Sequence, residues 1–219
     1  VLLAVDSATE NLGLAVTDGA TILAESVWAS PRHASVELAP EVARLLRRIG
    51  ISEADLTGLA VAIGPGSYTG LRIGLALVKG MAMGLGLKVV GVPTLDILAR
   101  GQPSRPEPML ALARAGRARW LAGWYHGSRR GWKAEGEPAV FDEGSIKGII
   151  ERPTYLCGEL SREERSAFGQ VRLVRLAESW QCVRRPGVLA QIGWERLRRA
   201  SDPVRMVPVY AAPIEAPGS

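Results

Sequence analysis

Short apolar runs alternate with turn residues over the first thirty positions. Leu2 to Ser7, Leu14 to Thr17 and Ile22 to Trp28 read as strands, and Asn11-Leu12-Gly13 and Asp18-Gly19 between them read as turns, so the pattern predicts a three-strand meander. The period then lengthens. Within His33 to Ile49, the residues Leu38, Val42, Leu45, Leu46 and Ile49 recur at helical spacing, with Arg44, Arg47 and Arg48 off the stripe. Pro40 lies early in this helix and either marks its first turn or kinks it. Ser52 and Asp55 predict a short capped turn. Leu59-Ala60-Val61-Ala62-Ile63 reads as a buried strand, and Gly70 to Gly86, without Pro and with only Arg72 and Lys79 as charges, is long enough for a second helix. Lys88 to Val92 is a further strand, and Thr94 is placed to cap a short helix from Leu95 to Arg100 that Gly101 ends. This order predicts an α/β fold with a mixed sheet flanked by helices.

Gln102 to Pro108 carries three prolines and reads as a linker, which divides the chain into an N-terminal lobe, 1–102, and a smaller C-terminal lobe, 103–219. In the second lobe Met109 to Ala113 and Trp120 to His126 read as strands, and Gly131 to Val140 as a strand or a loop. Asp142 is placed to cap a helix through Glu151, and Tyr155 to Cys157 is a strand. Ser161 and Glu164 have the capping-box spacing, Pro186 suits the first position of a helix running to Ala200, and Met206 to Tyr210 is extended. No sequence period of solenoid length is present.

The 219 residues are 47% apolar and 22% charged, which fits a soluble globular protein of one domain or two small lobes. No apolar run reaches the roughly 20 residues that span a bilayer, and Asp6 interrupts the apolar start, so a cytoplasmic protein without a secretory signal is expected. Cys157 and Cys182 sit in no metal-binding or redox spacing and are expected as reduced thiols. The net charge of +5 falls on the second half, where nineteen Lys and Arg face thirteen acids. Such asymmetry fits either a nucleic-acid partner, with Arg129 and Arg130 as candidate contacts, or a solvated Arg-rich face. No aromatic-basic RNA module is visible, which favours the solvated face.

Gly64-Pro65-Gly66-Ser67-Tyr68-Thr69-Gly70 joins a strand to a helix. Glycines there let backbone N–H groups at the helix start face an anion, so Gly64 and Gly66 are candidate phosphate contacts; the alternative is a tight connection only. No Lys-Ser/Thr follows the second glycine, so this is not a Walker loop. Ser67 lacks the Gly-x-Ser-x-Gly spacing of a nucleophile elbow, and the chain offers only His33 and His126 as a base, so protease chemistry is not expected.

Four stretches carry a resemblance: Val5-Asp6-Ser7-Ala8-Thr9-Glu10, His33 through Pro40, Gly64 through Gly74, and Gly91-Val92-Pro93-Thr94-Leu95. On these the chain resembles the bacterial TsaB (YeaZ) family of threonylcarbamoyladenosine biosynthesis proteins, which belongs to a glycoprotease-like superfamily. The second lobe resembles it less closely, through Arg114-Ala115-Gly116 and Pro208-Val209-Tyr210.

The resemblance implies a two-lobed actin-like ATPase fold of the sugar kinase/Hsp70 type. It implies a non-catalytic scaffold that binds TsaD, with TsaE, for threonylcarbamoyl transfer to N6 of adenosine 37 in tRNAs reading codons that start with A. The cofactor expectation is none intrinsic, with ATP or ADP placed at the interface with TsaD. tRNA is met through the complex. Two departures from the family pattern are Leu112, where relatives often carry Asp, and Ala211-Ala212 after Tyr210, where they carry Leu-Arg.

TsaD-type enzymes hold a metal through a His-x-x-x-His pair, and the matching positions here are Thr94 and Leu98, so no metal is expected. In actin-like ATPases an acid at the end of the first strand organises Mg²⁺ and phosphate. Asp6, Ser7 and Thr9, with Gly64 and Gly66, retain that look as a vestigial nucleotide site, and an ATP-dependent small-molecule kinase is the alternative function. Asp6 satisfied by turn N–H groups is the plainer reading. Finally, Val36, Ala39 and Ala43 widen the apolar side of the first helix, and Gly70, Gly74, Leu75, Val78 and Ala82 belong to a second helix that is apolar nearly all round. One sheet face does not cover both helices. These residues are therefore the expected partner interface, for a homodimer alone and for TsaD when present.

Overall fold

The computed structural model describes residues 1–30, 33–115, 119–129, 131–142 and 144–199. The described residues within Val1–Ile97 and Arg184–Val209 form one compact unit, and those within Leu98–Val183 form the other.

The first unit is built on β1 (Leu2–Asp6), β2 (Asn11–Thr17), β3 (Ile22–Ala29), β4 (Gly58–Ala62) and β5 (Lys88–Val92), in the order β3-β2-β1-β4-β5. β1, β2 and β3 are antiparallel neighbours, whereas β1, β4 and β5 run parallel, so the sheet is mixed as the pattern predicts. Asn11-Leu12-Gly13 is not the first turn: it lies in β2, with Gly13 opposite Asp6. The reversal falls earlier, where the Asp6 carboxylate accepts from Ala8 N (2.9 Å) and the Thr9 hydroxyl accepts from Asn11 N (3.3 Å), side chains satisfying turn N–H groups.

Helices cover both faces of this sheet. α1 (Ala34–Arg48) and α2 (Tyr68–Leu85) place Leu38, Val42, Leu45, Leu46, Leu75 and Val78 against Leu3, Val5, Leu14 and Val61. Pro40 sits inside α1, past its first turn. α2 starts two residues before the expected Gly70, because the Ser67 hydroxyl caps it by accepting from Gly70 N at 3.2 Å. Gly86 at φ 66° ends it in the left-handed conformation.

The opposite face belongs to α5 (Pro186–Arg199), with Ile97 of α3 (Thr94–Arg100). Small residues there, Ala4, Ala15, Ala60 and Ala62, let α5 approach so closely that a Cβ on Gly193 would lie 2.5 Å from the Ala60 methyl. This corrects the expected lobes 1–102 and 103–219. The chain does leave the first unit near the proline-rich linker, but it returns at Arg184, since a sheet buried on both faces needs a second helical layer. Glu25 receives the returning helix: its carboxylate accepts from Gly187 N (2.8 Å) and pairs with Arg185, a negative charge at a helix N-terminus.

Thr94 does not cap α3. It is already in the helix, Pro93 O accepts from Asp96 N and Ile97 N, and the buried Thr94 hydroxyl has no hydrogen-bond partner. The helix starts one residue earlier than Leu95, so the cap position falls on Pro93.

The second unit repeats the topology. β6 (Met109–Arg114), β7 (Arg119–Ser128) and β8 (Gly131–Asp142) form an antiparallel meander, and β9 (Thr154–Gly158) and β10 (Val174–Leu176) extend it in parallel, in the order β10-β9-β6-β7-β8. Counted within each unit, both sheets have the same strand order. Gly131 to Val140 is therefore a strand. The expected helix after Asp142 is only a 3-10 turn, Ile146–Ile149; the Asp142 carboxylate instead accepts from Ser145 N at 2.6 Å, and Gly148 disfavours a longer helix. α4 (Arg162–Gly169) has the expected capping box of Ser161 and Glu164 and buries Phe168 against Leu110, Leu112, Trp120 and Leu156. β10 has no counterpart in the sequence reading, being three residues long. The extended segment expected at Met206 to Tyr210, with Pro208, Val209 and Ala212, lies outside the described residues.

Candidate functional site

Asp6 ends β1 with its side chain 2% exposed. Turn N–H groups do not satisfy it alone. Arg184 Nε donates to Asp6 Oδ2 (2.8 Å), and its Nη2 donates to Asp6 Oδ1 (3.3 Å) and to Thr9 Oγ1 (3.0 Å). Arg184 lies two residues before the start of α5 at Pro186, so its guanidinium is delivered by the same return of the chain that covers the sheet. No feature of the Asp6 segment announces this partner.

The glycine turn lies against the same corner. Ser67 N donates to Ala8 O (2.6 Å), and the Ser7 hydroxyl donates to Gly70 O (2.8 Å). A Cβ on Gly66 would fall 2.0 Å from Ala8 O, and one on Gly70 2.2 Å from Ser7 O. Gly64 adopts φ 104°, open to glycine, and its carbonyl accepts from Thr94 N at 2.7 Å. Asp6, Ser7, Thr9, Gly64 and Gly66 are thus gathered around one corner of the first unit, as the resemblance groups them, but the Asp6 and Thr9 side chains are held by Arg184 and turn N–H groups, the Ser7 hydroxyl by Gly70 O and the Gly64 carbonyl by Thr94 N.

The expected partner interface divides in two. Gly70, Gly74, Leu75 and Val78 face the unit's own core: Leu75 is 3% exposed, and a Cβ on Gly74 would fall 2.1 Å from Ser7 Oγ. These four are corrected to core positions, because the helix must seat its smallest residues over the Ser7 turn. Ala82 is half-buried against the same core. Val36 and Ala39 are exposed and Ala43 half-buried on α1. The outward stripe of α2 is different: Tyr68, Arg72, Ala76, Lys79, Gly80, Met83 and Gly84, with Met83 86% exposed. Arg72 donates to the Tyr68 hydroxyl at 2.8 Å and lies 5.1 Å over its ring. A Cβ on Gly80 or Gly84 would meet nothing within 4 Å.

Elsewhere, Thr94 and Leu98 are buried, at 1% and 3% exposure. Among the described residues no three His, Cys, Asp or Glu side chains are grouped to hold a metal, and no helix is long and apolar enough to cross a membrane. His33 precedes α1 and its carbonyl accepts from Val36 N and Glu37 N, while its side chain makes no cap bond. His126 is exposed on β7. In the second unit Leu112 lies in the core, and Arg114 pairs with Glu164 with its guanidinium 3.8 Å over the Trp120 ring. Cys157 and Cys182 are free thiols, both buried. Arg129 is exposed near the β7–β8 turn, and Arg130 lies outside the described residues.

Residues 21–134, just over half of the chain, match the family described as "TsaD: tRNA N6-adenosine threonylcarbamoyltransferase". The tRNA threonylcarbamoyladenosine biosynthesis protein TsaB of Escherichia coli is 33% identical over 163 residues, covering 72% of this chain and 68% of that protein. The chain belongs to the TsaB (YeaZ) family. The Bacillus subtilis TsaB is 38% identical over 98 residues, 45% of this chain and 43% of that one. Among solved structures, YeaZ from Pseudomonas aeruginosa superposes with a TM-score of 0.73 at 24% identity, over 95% of this chain and 98% of that one. The ethanolamine utilization protein EutJ from Carboxydothermus hydrogenoformans follows at 0.52 and 17% identity, over 87% and 89%. The fold is the actin-like one, with two mixed sheets flanked by helices, and the TsaB family is tied to tRNA threonylcarbamoyladenosine biosynthesis.

Proposed function

We propose that this chain is a non-catalytic accessory subunit in tRNA threonylcarbamoyladenosine biosynthesis, acting by binding TsaD, with TsaE joining the complex. The observation that carries this reading is the outward stripe of α2. Glycine inside a helix costs about 1 kcal/mol relative to alanine. The unit's own packing accounts for Gly70 and Gly74, which lie over Ser7, but not for Gly80 and Gly84, which touch nothing. Two such glycines beside an exposed Met83 suit the close approach of another helix. The occupant is TsaD in the complex and a second copy of this chain when alone, with Val36, Ala39 and Ala43 of α1 flanking the contact.

A catalytic role has little to work with. The positions of the TsaD-type metal pair hold Thr94 and Leu98, and the Ser67 hydroxyl is the cap of α2. The alternative, an ATP-dependent kinase, needs Asp6 free, and Arg184 holds it. Any ATP or ADP in the complex belongs at the interface with TsaD, tRNA is met through that complex, and the setting is the cytoplasm.

The test is co-purification with TsaD and threonylcarbamoyl transfer with and without this chain. Met83→Glu should leave the fold intact by circular dichroism, and abolish both self-association in sedimentation and capture of TsaD. A folded Met83→Glu variant that still dimerises and still captures TsaD would place the interface elsewhere. Transfer by TsaD and TsaE undiminished without this chain would overturn the accessory role.

A further inference from the structure

A carboxylate as buried as Asp6 needs a counter-charge, because an unpaired ion in that setting is strongly unfavourable. The atoms around it form one oxygen cluster: Asp6 Oδ1, Asp6 Oδ2 and Thr9 Oγ1 all converge on the Arg184 guanidinium, at 3.3, 2.8 and 3.0 Å. Carboxylate and hydroxyl oxygens are the donors that hard divalent cations take. The actin-like ATPase fold implies a magnesium nucleotide at this acid. The residues do not fit one. Both Asp6 oxygens are occupied, the Ser7 hydroxyl is spent on Gly70 O, Ser67 N is spent on Ala8 O, and Gly66 and Gly70 lie too close to Ala8 and Ser7 to leave even a methyl's room. The cation position of such a site is filled by Arg184, and its phosphate position is closed by the packing of the glycine turn on Ser7 and Ala8.

We infer that Arg184 is a resident cation standing where a divalent ion would otherwise sit, so that the chain carries its own counter-ion and binds no magnesium nucleotide at Asp6. The substitution is also structural. A diffusible ion would join only β1 and the following turn, whereas a guanidinium at the head of α5 ties both to the helix that covers the second face of the sheet. This inference stands on the first unit alone and does not depend on the partner reading above.

The experiment measures cation binding rather than activity. In Arg184→Gly, the three oxygens are left facing a space of guanidinium size. Millimolar Mg²⁺ or Mn²⁺ should then raise the melting temperature of the variant by several degrees, and Mn²⁺ binding should appear in its paramagnetic resonance signal. The wild type and the double variant Asp6→Asn/Arg184→Gly should show neither effect. An Arg184→Gly variant that folds but responds to divalent ions no more than the double variant does would overturn the inference. If Arg184→Gly does not fold, the wild type decides. No loss of the free Mn²⁺ signal and no melting shift with magnesium ATP or ADP are expected, and binding of either that Asp6→Asn abolishes would overturn it.

Discussion

A Cβ placed on Gly74 would sit 2.1 Å from the Ser7 hydroxyl oxygen, with the Ser7 Cβ itself at 3.3 Å. That hydroxyl is not free to swing away, since it donates to Gly70 O at 2.8 Å. α2 therefore rests on the β1–β2 turn through its glycines, and the same helix carries, on the far side, glycines that rest on nothing.

Gly74→Ala should destabilise the chain by about 1–3 kcal/mol through overpacking. Ser7→Ala in the same chain should recover part of that loss, because it removes the clashing oxygen. Gly80→Ala, in the monomer at high dilution, should do the opposite and stabilise the chain by about 0.5–1 kcal/mol, as its added methyl meets no neighbour within the chain. Urea midpoints of the three variants check the signs.

Asp6→Asn leaves the buried Arg184 charge without its partner and should cost about 3–5 kcal/mol. Replacing both, as Asp6→Asn with Arg184→Met, should cost much less than the sum of the single changes. A double-mutant cycle that came out additive would mean the pair is not coupled.

Glu25 gives the pH dependence. Burial raises its pKa, but the hydrogen bond from Arg185 and the Gly187 N–H lower it further, so the net shift is downward. The unfolded chain then holds this proton more tightly than the folded one. The stabilisation from Glu25 is present above an unfolded value of about 4.3 and is lost as pH falls through the folded value. Because Arg185 is largely exposed, the pair is worth under about 1 kcal/mol. Glu25→Gln should melt below the wild type at neutral pH, and the gap should close in acid.

The thiols should be silent. Burial foremost, and then the nearby Cys182, push the Cys157 thiol well above its ordinary range, and its sulfur lies 3.5 Å from the Met109 sulfur. A thiol reagent at neutral pH should label neither cysteine in the native protein and both in urea. Fast native labelling of Cys157 would mean that the second sheet opens.

Leu75→Glu and Met83→Glu separate the two sides of α2. Leu75 packs in the core, so a charge there should unfold the chain, whereas the exposed Met83 should accept one without loss of stability. Circular dichroism and melting curves of the two variants decide it.

The sequence by itself determined the elements with a strong local cause. The apolar stripe of α1, the capping box of α4, the Pro186 start of α5 and the alternation of the first three strands are set by side-chain period and by hydrogen bonds within a few residues. The family resemblance also grouped Asp6, Ser7 and Thr9 with the glycine turn. Three things were left to the tertiary structure. Arg184 meets Asp6 across 178 positions, and no local pattern encodes a contact at that separation. α5 belongs to the first sheet because the alanines of β1, β2 and β4 leave room for it there, which depends on the facing surface rather than on the helix. The four glycines of α2 look alike in sequence; only the packed neighbour of each, Ser7 for Gly70 and Gly74 and open space for Gly80 and Gly84, separates those that close the core from those that leave a surface free.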